Sequence, residues 1–297
     1  MIKCVRPGKY SMKIACFVEA YNFRDRSERS ALSKFKNTAE SMGHNFEFIF
    51  KKDISKIPDY DALFIRATTD PSGSAYIISR LAEQHGLKVI DDPQSIRICS
   101  NKAIQHDLFL KNNIPSPKSL LFAGDYSSLD KIFKTLGFPV IIKTPYTRFS
   151  SHVEKADNEK EFMRISRHLR RKSGMLVLQE YIKSDFDWRV GVLRNEILYL
   201  CKYCIPEGGW KVKSKINGRN VWGDTIAVPR DSISQELKDI CINLSKCVGS
   251  GLYGLDVKEI NSGYRVIEIN DNPSIYAGHE DAVDKDIYEK IINALAS

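Results

Sequence analysis

Strand and helix alternate through the first hundred residues, and glycines punctuate the alternation. Met12 to Val18 reads as an apolar strand, and Arg24 to Met42 as a helix closed by Gly43. Asn45 to Phe50 and Asp61 to Arg66 read as further strands. Ser74 to His85 is a second helix, closed by Gly86, and Lys88 to Ile90 is a short fourth strand. A glycine just past the last periodic residue supplies the left-handed conformation that stops a helix. Strands joined through helices run parallel, so this portion predicts a small parallel sheet with helices on its faces. The turn after the first strand is Glu19-Ala-Tyr-Asn-Phe. It has no glycine-rich turn, which argues against a dinucleotide site of the G-x-G-x-x-G kind.

The rhythm then changes. A helix from Asn101 to Asn112 is broken by Ile114-Pro-Ser-Pro117, a natural boundary or hinge. Next come a strand from Lys118, a helix (Ser127 to Leu136), a strand (Pro139 to Lys143), the loop Thr144 to His152, a basic helix from about Asn158, and a strand (Met175 to Tyr181). This is the pattern of an α+β subdomain. Beyond Asp185 lie long strands, a helix from Ser234 to Val248, a hairpin, and a last helix from Ala282 to Leu295.

Composition narrows the class. The chain has 297 residues, 42% hydrophobic and 28% charged, as ordinary globular proteins do. Its longest apolar runs, such as Val140 to Ile142 and Leu176 to Leu178, are far too short to cross a bilayer. Ile14 to Val18 is too brief for a secretory core, so the expected location is the cytoplasm. Seven scattered cysteines argue for thiols rather than a disulfide framework. Cys201 and Cys204 form a C-x-x-C, but strand alternation puts their sulfurs on opposite faces and no second pair completes a zinc site. A net charge of +8 suits nucleic acid or an anionic small substrate such as a nucleoside triphosphate. The densest basic run, Arg164 to Lys172, falls on a helix and reads as a solvated face.

The most chemically informative stretch is Gly251 to Ser274, two strands joined by a tight turn at Asn261-Ser262-Gly263. Asp256 lies on the first strand, and Glu268 and Asn270 on the second. Strict alternation sends Glu268 and Asn270 to one face and Ile267 and Ile269 to the other. A hairpin brings Asp256 beside that pair, giving hard oxygen ligands of the kind Mg²⁺ takes together with phosphate oxygens. The alternative is a polar strand face turned to water.

The ordered set Phe138-Pro-Val-Ile-Ile-Lys143, Leu178-Gln-Glu-Tyr-Ile182, Asp187-Trp-Arg189 and the hairpin ending Glu268-Ile-Asn270 resembles the ATP-grasp superfamily, and within it the RimK-like ligases. Phe64-Ile-Arg-Ala-Thr-Thr69, Val89 to Ile96 and Asn101-Lys102 are similar to the N-terminal domain that accompanies some of these proteins. The resemblance implies an α/β and α+β architecture. A small parallel-sheet α/β domain (1–100) precedes an ATP-grasp domain (101–297) with two α+β subdomains gripping ATP, a lid at about 117–182 and a C-terminal subdomain at about 183–297.

The resemblance also implies roles. Lys102 and Lys143 would contact the phosphates. Gln179, Glu180, Tyr181 and Ile182 would form the adenine hinge, with Glu180 near the amino group and Ile182 offering backbone contacts. Asp187 would touch the ribose or another part of the nucleotide. Arg189 would face the transferred phosphoryl group or a substrate carboxylate, and its local alternatives are ion pairs with Asp187 or Asp185. Lys202 would reach the triphosphate, and Lys211, more than Lys213, would serve from a flexible substrate-side loop. Asp256, Glu268 and Asn270 would hold Mg²⁺, or Mn²⁺ in its place. One departure stands out: the phosphate-covering loop reads Thr147-Arg-Phe-Ser-Ser-His-Val153, with His152 where the family has glycine. Either the loop closes differently or nucleotide affinity is altered. His279 has no assigned role.

The implied chemistry is ATP- and Mg²⁺-dependent ligation of a carboxylate and an amine. The carboxylate attacks the γ-phosphorus, giving an acyl phosphate and ADP, and an amine then displaces phosphate. The substrates would be an amino acid such as glutamate and a peptide, protein or small amine. No membrane partner is implied, nucleic acid ranks last, and a homo-oligomer is open. Two alternatives share the same residues: a phosphotransferase acting on a hydroxyl, and a nucleotide-binding regulatory module without catalysis.

Overall fold

The structure, a computed structural model, describes residues 11–146 and 152–297. The chain divides into two compact units, one of Met1–Pro93 with Ser274–Ser297 and the other of Gln94–Pro273.

In the first unit, strands Lys13–Phe17, Asn45–Ile49, Ala62–Ile65 and Lys88–Ile90 form an all-parallel sheet in the order second, first, third, fourth. The central strands are buried along nearly their whole length, as expected where helices cover both faces. Helix Arg26–Ser41 begins at Asp25, whose side chain accepts from the Glu28 amide. Gly43 and Gly86 take φ of 86° and 77°, the left-handed geometry that ends the first two helices. The domain boundary read from the sequence is corrected at the C-terminus. Helix Ile287–Ala296 belongs to this unit, because its apolar face (Ile287, Ile291, Ile292, Leu295) is buried there, and the Tyr288 ring stacks edge-on to Phe35 at 4.7 Å. Sequence order alone places that helix with the portion that precedes it in the chain.

The second unit contains two main antiparallel sheets besides the two-stranded pair of Lys213–Ile216 with Arg219–Trp222. The smaller has strand order Ser119–Phe122, Leu176–Glu180, Val140–Lys143, Val153–Ala156. Helices Leu129–Leu136 and Glu159–Arg170 pack on it through Ile132, Leu136, Phe162, Ile165 and Leu169. Arg164 and Arg167 stay exposed, so the basic run is indeed a solvated helix face.

The larger sheet has order Thr225–Val228, Glu196–Cys204, Phe186–Leu193, Leu252–Ile260, Gly263–Asp271. One face packs Val190, Val192, Leu255, Val257, Val266 and Ile269 against Leu237, Cys241 and Leu244 of helix Gln235–Val248 and Phe109 of helix Lys102–Lys111. The other face carries the polar residues described below.

Strict alternation fails in the acidic hairpin. Asp256 pairs with Glu268 but Val257 pairs with Val266, so Ile267 is an extra residue on its strand. The core-facing residues are therefore Val266 and Ile269, and Ile267 is only half-buried. A bulge of this kind re-aims side chains at functional edges. Here it lets Glu268 face Asp256 while Val266 still fills the core.

Among the described residues no helix is long and apolar enough to cross a membrane.

Candidate functional site

The site is built on the polar face of the larger sheet. Its middle strand places Arg189 opposite Asp256, and Asp256 opposite Glu268 on the outer strand. Like charges directly opposite one another on a sheet repel. Cations on both sides hold these two in place. Arg189 pairs with Asp256, its Nη2 donating to Oδ2 at 3.1 Å and its Nε lying 2.8 Å from Oδ1. Lys102 Nζ lies 3.2 Å from Glu268 Oε2. The Asn270 amide sits between the carboxylates, 3.4 Å from Asp256 Oδ2 and 3.3 Å from Glu268 Oε1.

Burial raises the Asp256 carboxyl to about 7, assisted by the Glu268 and Asp187 charges and opposed by Arg189. Burial acts the same way on Glu268. There it is outweighed by the combined charges of Lys102, Lys143 and Arg189, so Glu268 stays below the ordinary carboxylate range. The pair thus shares its negative charge unevenly, with Glu268 the standing anion.

Room for Arg189 comes from glycine. A Cβ at Gly254 would lie 2.7 Å from Pro273 Cβ and 2.8 Å from Arg189 Nη1. Its cross-strand neighbour Gly191 admits the buried Tyr199 ring, which a Cβ would meet at 2.2 Å. The Arg189 guanidinium also lies 4.9 Å over the Tyr203 ring.

Two elements bring lysines to this face. Lys102 opens helix Lys102–Lys111, capped by Asn101, whose side chain accepts from the Ala103 and Ile104 amides. The helix is tied to the outer strand by buried Gln105. Its Oε1 accepts from Ile269 N–H at 3.0 Å, and its Nε2 donates to Ile269 O at 3.0 Å and to Cys99 O at 2.6 Å. Gln105 therefore satisfies backbone groups of an edge strand and sets the position of Lys102 at once. Lys143 ends its strand on the smaller sheet, buried, with Nζ 2.7 Å from Gln179 Oε1. Burial pulls its ammonium down to about 8, against the pull of Glu268 and with the push of Lys102 and Lys258.

The hinge segment leaves the smaller sheet at Glu180. The Glu180 amide donates to Lys118 O at 2.9 Å, and its carboxylate accepts from Lys118 N–H at 2.8 Å. Tyr181 N–H donates to Pro139 O at 3.3 Å. Ile182 lies just past the strand, and among the described residues its N–H has no backbone partner. That is the amide in this segment an adenine edge could use. Lys211 is half-buried, its Nζ 2.8 Å from Val153 O and 4.8 Å over the Trp210 ring.

One expectation needs correction. Lys202 pairs with Trp188, not with Arg189, so it projects from the opposite face of the sheet. Its ammonium sits 4.5 Å over Phe186 and 5.0 Å over Trp188, away from the carboxylates, which removes it from the catalytic set. Arg189 pairs with Asp256 and not with Asp187 or Asp185. Asp187 is instead held by Lys258, at 2.5 Å. The loop expected to cover the phosphates lies largely outside the described residues. At its end, His152 does take the left-handed conformation of a glycine, φ 55°, with Thr144 N–H on its carbonyl at 3.3 Å and Lys172 Nζ 2.8 Å from its Nε2.

Sequence reading missed Gln105, Gly191, Gly254 and Lys258. A lone glutamine on a helix or a lysine on a strand carries no motif. The pair of glycines on adjacent strands becomes visible only once the register is known.

A helix-borne lysine, Lys102, and a strand-borne lysine, Lys143, thus act on a carboxylate pair set on an antiparallel sheet. Residues 99–295 match the RimK-like ATP-grasp domain, and the chain belongs to that family. It is an ATP-grasp ligase. It is 28% identical over 233 residues to an alpha-aminoadipate–LysW ligase LysX of Saccharolobus solfataricus, covering 76% of this chain and 80% of that one. Against a glutamate–LysW ligase ArgX of Sulfolobus acidocaldarius it is 24% identical over 289 residues, covering 95% and 97%. Among solved structures, the D-alanine–D-alanine ligase of Bacillus anthracis complexed with ATP superposes with a TM-score of 0.71 at 15% identity, covering 96% of each chain. A RimK domain ATP-grasp protein from Sphaerobacter thermophilus gives 0.67 at 13%, covering 96% and 98%.

Proposed function

We propose that this chain joins a carboxylate to an amine through an acyl phosphate, with ATP consumed to ADP, and that one substrate is an amino acid of the acidic kind named for its relatives. The observation that carries the reading is the convergence of Lys102 and Arg189 on the Glu268–Asp256 pair, with Lys143 close enough to act on Glu268.

The donor set fits a hard divalent cation. Two carboxylates and a side-chain amide, whose oxygen faces a cation once the amide turns over, are a hard-oxygen set on adjacent strands that leaves coordination positions open for phosphate oxygens and water. Asp256, Glu268 and Asn270 would hold Mg²⁺, which when bound neutralises charge on the β- and γ-phosphates. Lys102 and Lys143 bind the phosphates from two sides, replacing the Glu268 and Gln179 contacts they make here. Arg189 is released from part of its grip on Asp256 and stabilises charge on the moving phosphoryl group, which its fork meets better than an ammonium would. Gln179 to Ile182 orient the adenine. Asp187 positions the nucleotide, and Lys211 lies on the substrate side. The chain's residues supply positioning and electrostatics, and no covalent nucleophile is required. Buried thiols such as Cys16 and Cys241 suit a reducing compartment, the cytoplasm.

The test is incubation with ATP, Mg²⁺, a panel of amino acids and hydroxylamine. ADP and a hydroxamate, formed only with the right carboxylate, are expected. Release of AMP, or a stable phosphorylated hydroxyl product, overturns the reading.

A further inference from the structure

Lys258 follows Asp256 by two residues on the same strand, which brings it to the same face as the carboxylates. It is 8% exposed, a rare state for a lysine. Its ammonium donates to Ser184 Oγ at 2.6 Å and to Asp187 Oδ1 at 2.5 Å, and Ser184 Oγ lies 3.3 Å from the same carboxylate oxygen. One face thus holds two ion pairs side by side, Arg189 with Asp256 and Lys258 with Asp187.

Charge explains why the second pair is needed. Asp187 acts on Asp256 across the same face. An unneutralised carboxylate there would repel its acidic neighbour and leave the orientation in which it meets the nucleoside. The Lys258 charge also reaches Lys143, whose ammonium is already depressed chiefly by burial, so Lys258 sits within electrostatic range of the phosphate-binding lysine. It has no motif, and the neighbouring Glu259 points away, accepting from Trp188 Nε1 on the opposite face.

We infer that Lys258 is a positioning residue of the nucleotide site: with Ser184 it fixes the Asp187 carboxylate, so that Asp187 meets the nucleoside in one orientation and with its charge balanced. The inference rests on the proposed nucleotide role of Asp187. Lys258 acts through Asp187 and does not itself touch the phosphates.

The test measures binding of adenosine, AMP, ADP and ATP with Mg²⁺ to the full chain by calorimetry. Lys258→Met should weaken all four by a similar factor, about tenfold, the scale of one lost charge-assisted hydrogen bond. Lys258→Arg should restore part of that loss. Asp187→Asn should show a comparable loss, and the double variant should be no weaker than the worse single, as expected of residues acting as one unit. The KM of the carboxylate substrate should not move. A loss that grows with phosphate number overturns the inference, because Lys258 would then contact the phosphates directly. So does a lowered Tm with unchanged nucleotide affinity, or additive losses in the double variant. If Lys258→Met fails to fold, Asp187→Asn and Lys258→Arg carry the same comparison. Wild-type nucleotide binding without hydroxamate formation would count against the ligase reading and leave this one standing.

Discussion

Replacing Gln105 by leucine tests how the edge of the site is held. Leucine keeps much of the bulk and removes every polar atom. Gln105 is 2% exposed, and its amide serves three backbone groups: Ile269 N–H, Ile269 C=O and Cys99 C=O. Each buried group left without a partner costs about 1–3 kcal/mol, so the low end of the range gives about 3 kcal/mol after local relaxation. For a unit of this size that is a fall in Tm of roughly 6–12 °C. Circular dichroism melts of wild type and Gln105→Leu read it directly. Gln105→Glu should be at least as damaging, since it sets a carboxylate against two carbonyl oxygens. Because the same helix carries Lys102, the KM for ATP should rise in the surviving Gln105→Leu protein at a temperature where it is fully folded. A Tm within 2 °C of wild type, with an unchanged KM, refutes the claim that Gln105 couples the helix to the hairpin.

Four further outcomes follow. Glu268→Gln should lower ligase turnover by at least about a hundredfold while keeping the fold, because it removes the standing anion of the carboxylate pair and leaves its shape; near-normal turnover contradicts the assignment. Lys202→Met should stay within about threefold of wild-type turnover and lose at most about 1 kcal/mol of stability from the two ring contacts, whereas Arg189→Met should be nearly inactive; equal losses would return Lys202 to the catalytic set. Metal-dependent ATP affinity should peak between pH 7 and 8. Asp256, raised to about 7, must lose its proton for the metal, so affinity climbs as pH rises to that value; Lys143, lowered to about 8, must keep its proton for phosphate, so affinity falls above it. Calorimetry from pH 6 to 9.5 reads both limbs, Lys143→Met should remove the alkaline one, and a flat profile contradicts both. His152→Gly should leave stability equal or raise it by about 1 kcal/mol, since relief of a left-handed histidine is offset by glycine's greater chain entropy; a loss above about 1 kcal/mol would mean that the Lys172 contact outweighs the strain.

What could be read in the sequence were features written in local spacing. Glycine stops at Gly43 and Gly86, the Asn261-Ser262-Gly263 turn, and the partnership of Asp256 with Glu268 and Asn270 all depend on residues close in the chain. The structure places Lys102 beside Glu268 and Arg189 beside Asp256, and the Lys143 charge acts on Glu268 from the smaller sheet. What could not be read depends on register or on distant packing. The bulge at Ile267 looks in sequence like one more alternating residue. Lys202 shares a strand with site-facing Tyr203, and only the pairing of Lys202 with Trp188 shows that it faces away. Helix Ile287–Ala296 is amphipathic wherever it packs, so its partner sheet has no local signature. Lys258 reads as a surface charge until its strand is seen to bury it.

The central claim is that Asp256, Glu268 and Asn270 bind ATP through a divalent cation. Calorimetric titration of ATP into the protein, with Mg²⁺ and again with EDTA, tests it most directly. The account predicts binding in Mg²⁺ at least about tenfold tighter than in EDTA, with that advantage abolished by Glu268→Gln. Equal affinity in Mg²⁺ and EDTA, or an advantage that survives Glu268→Gln, would contradict it.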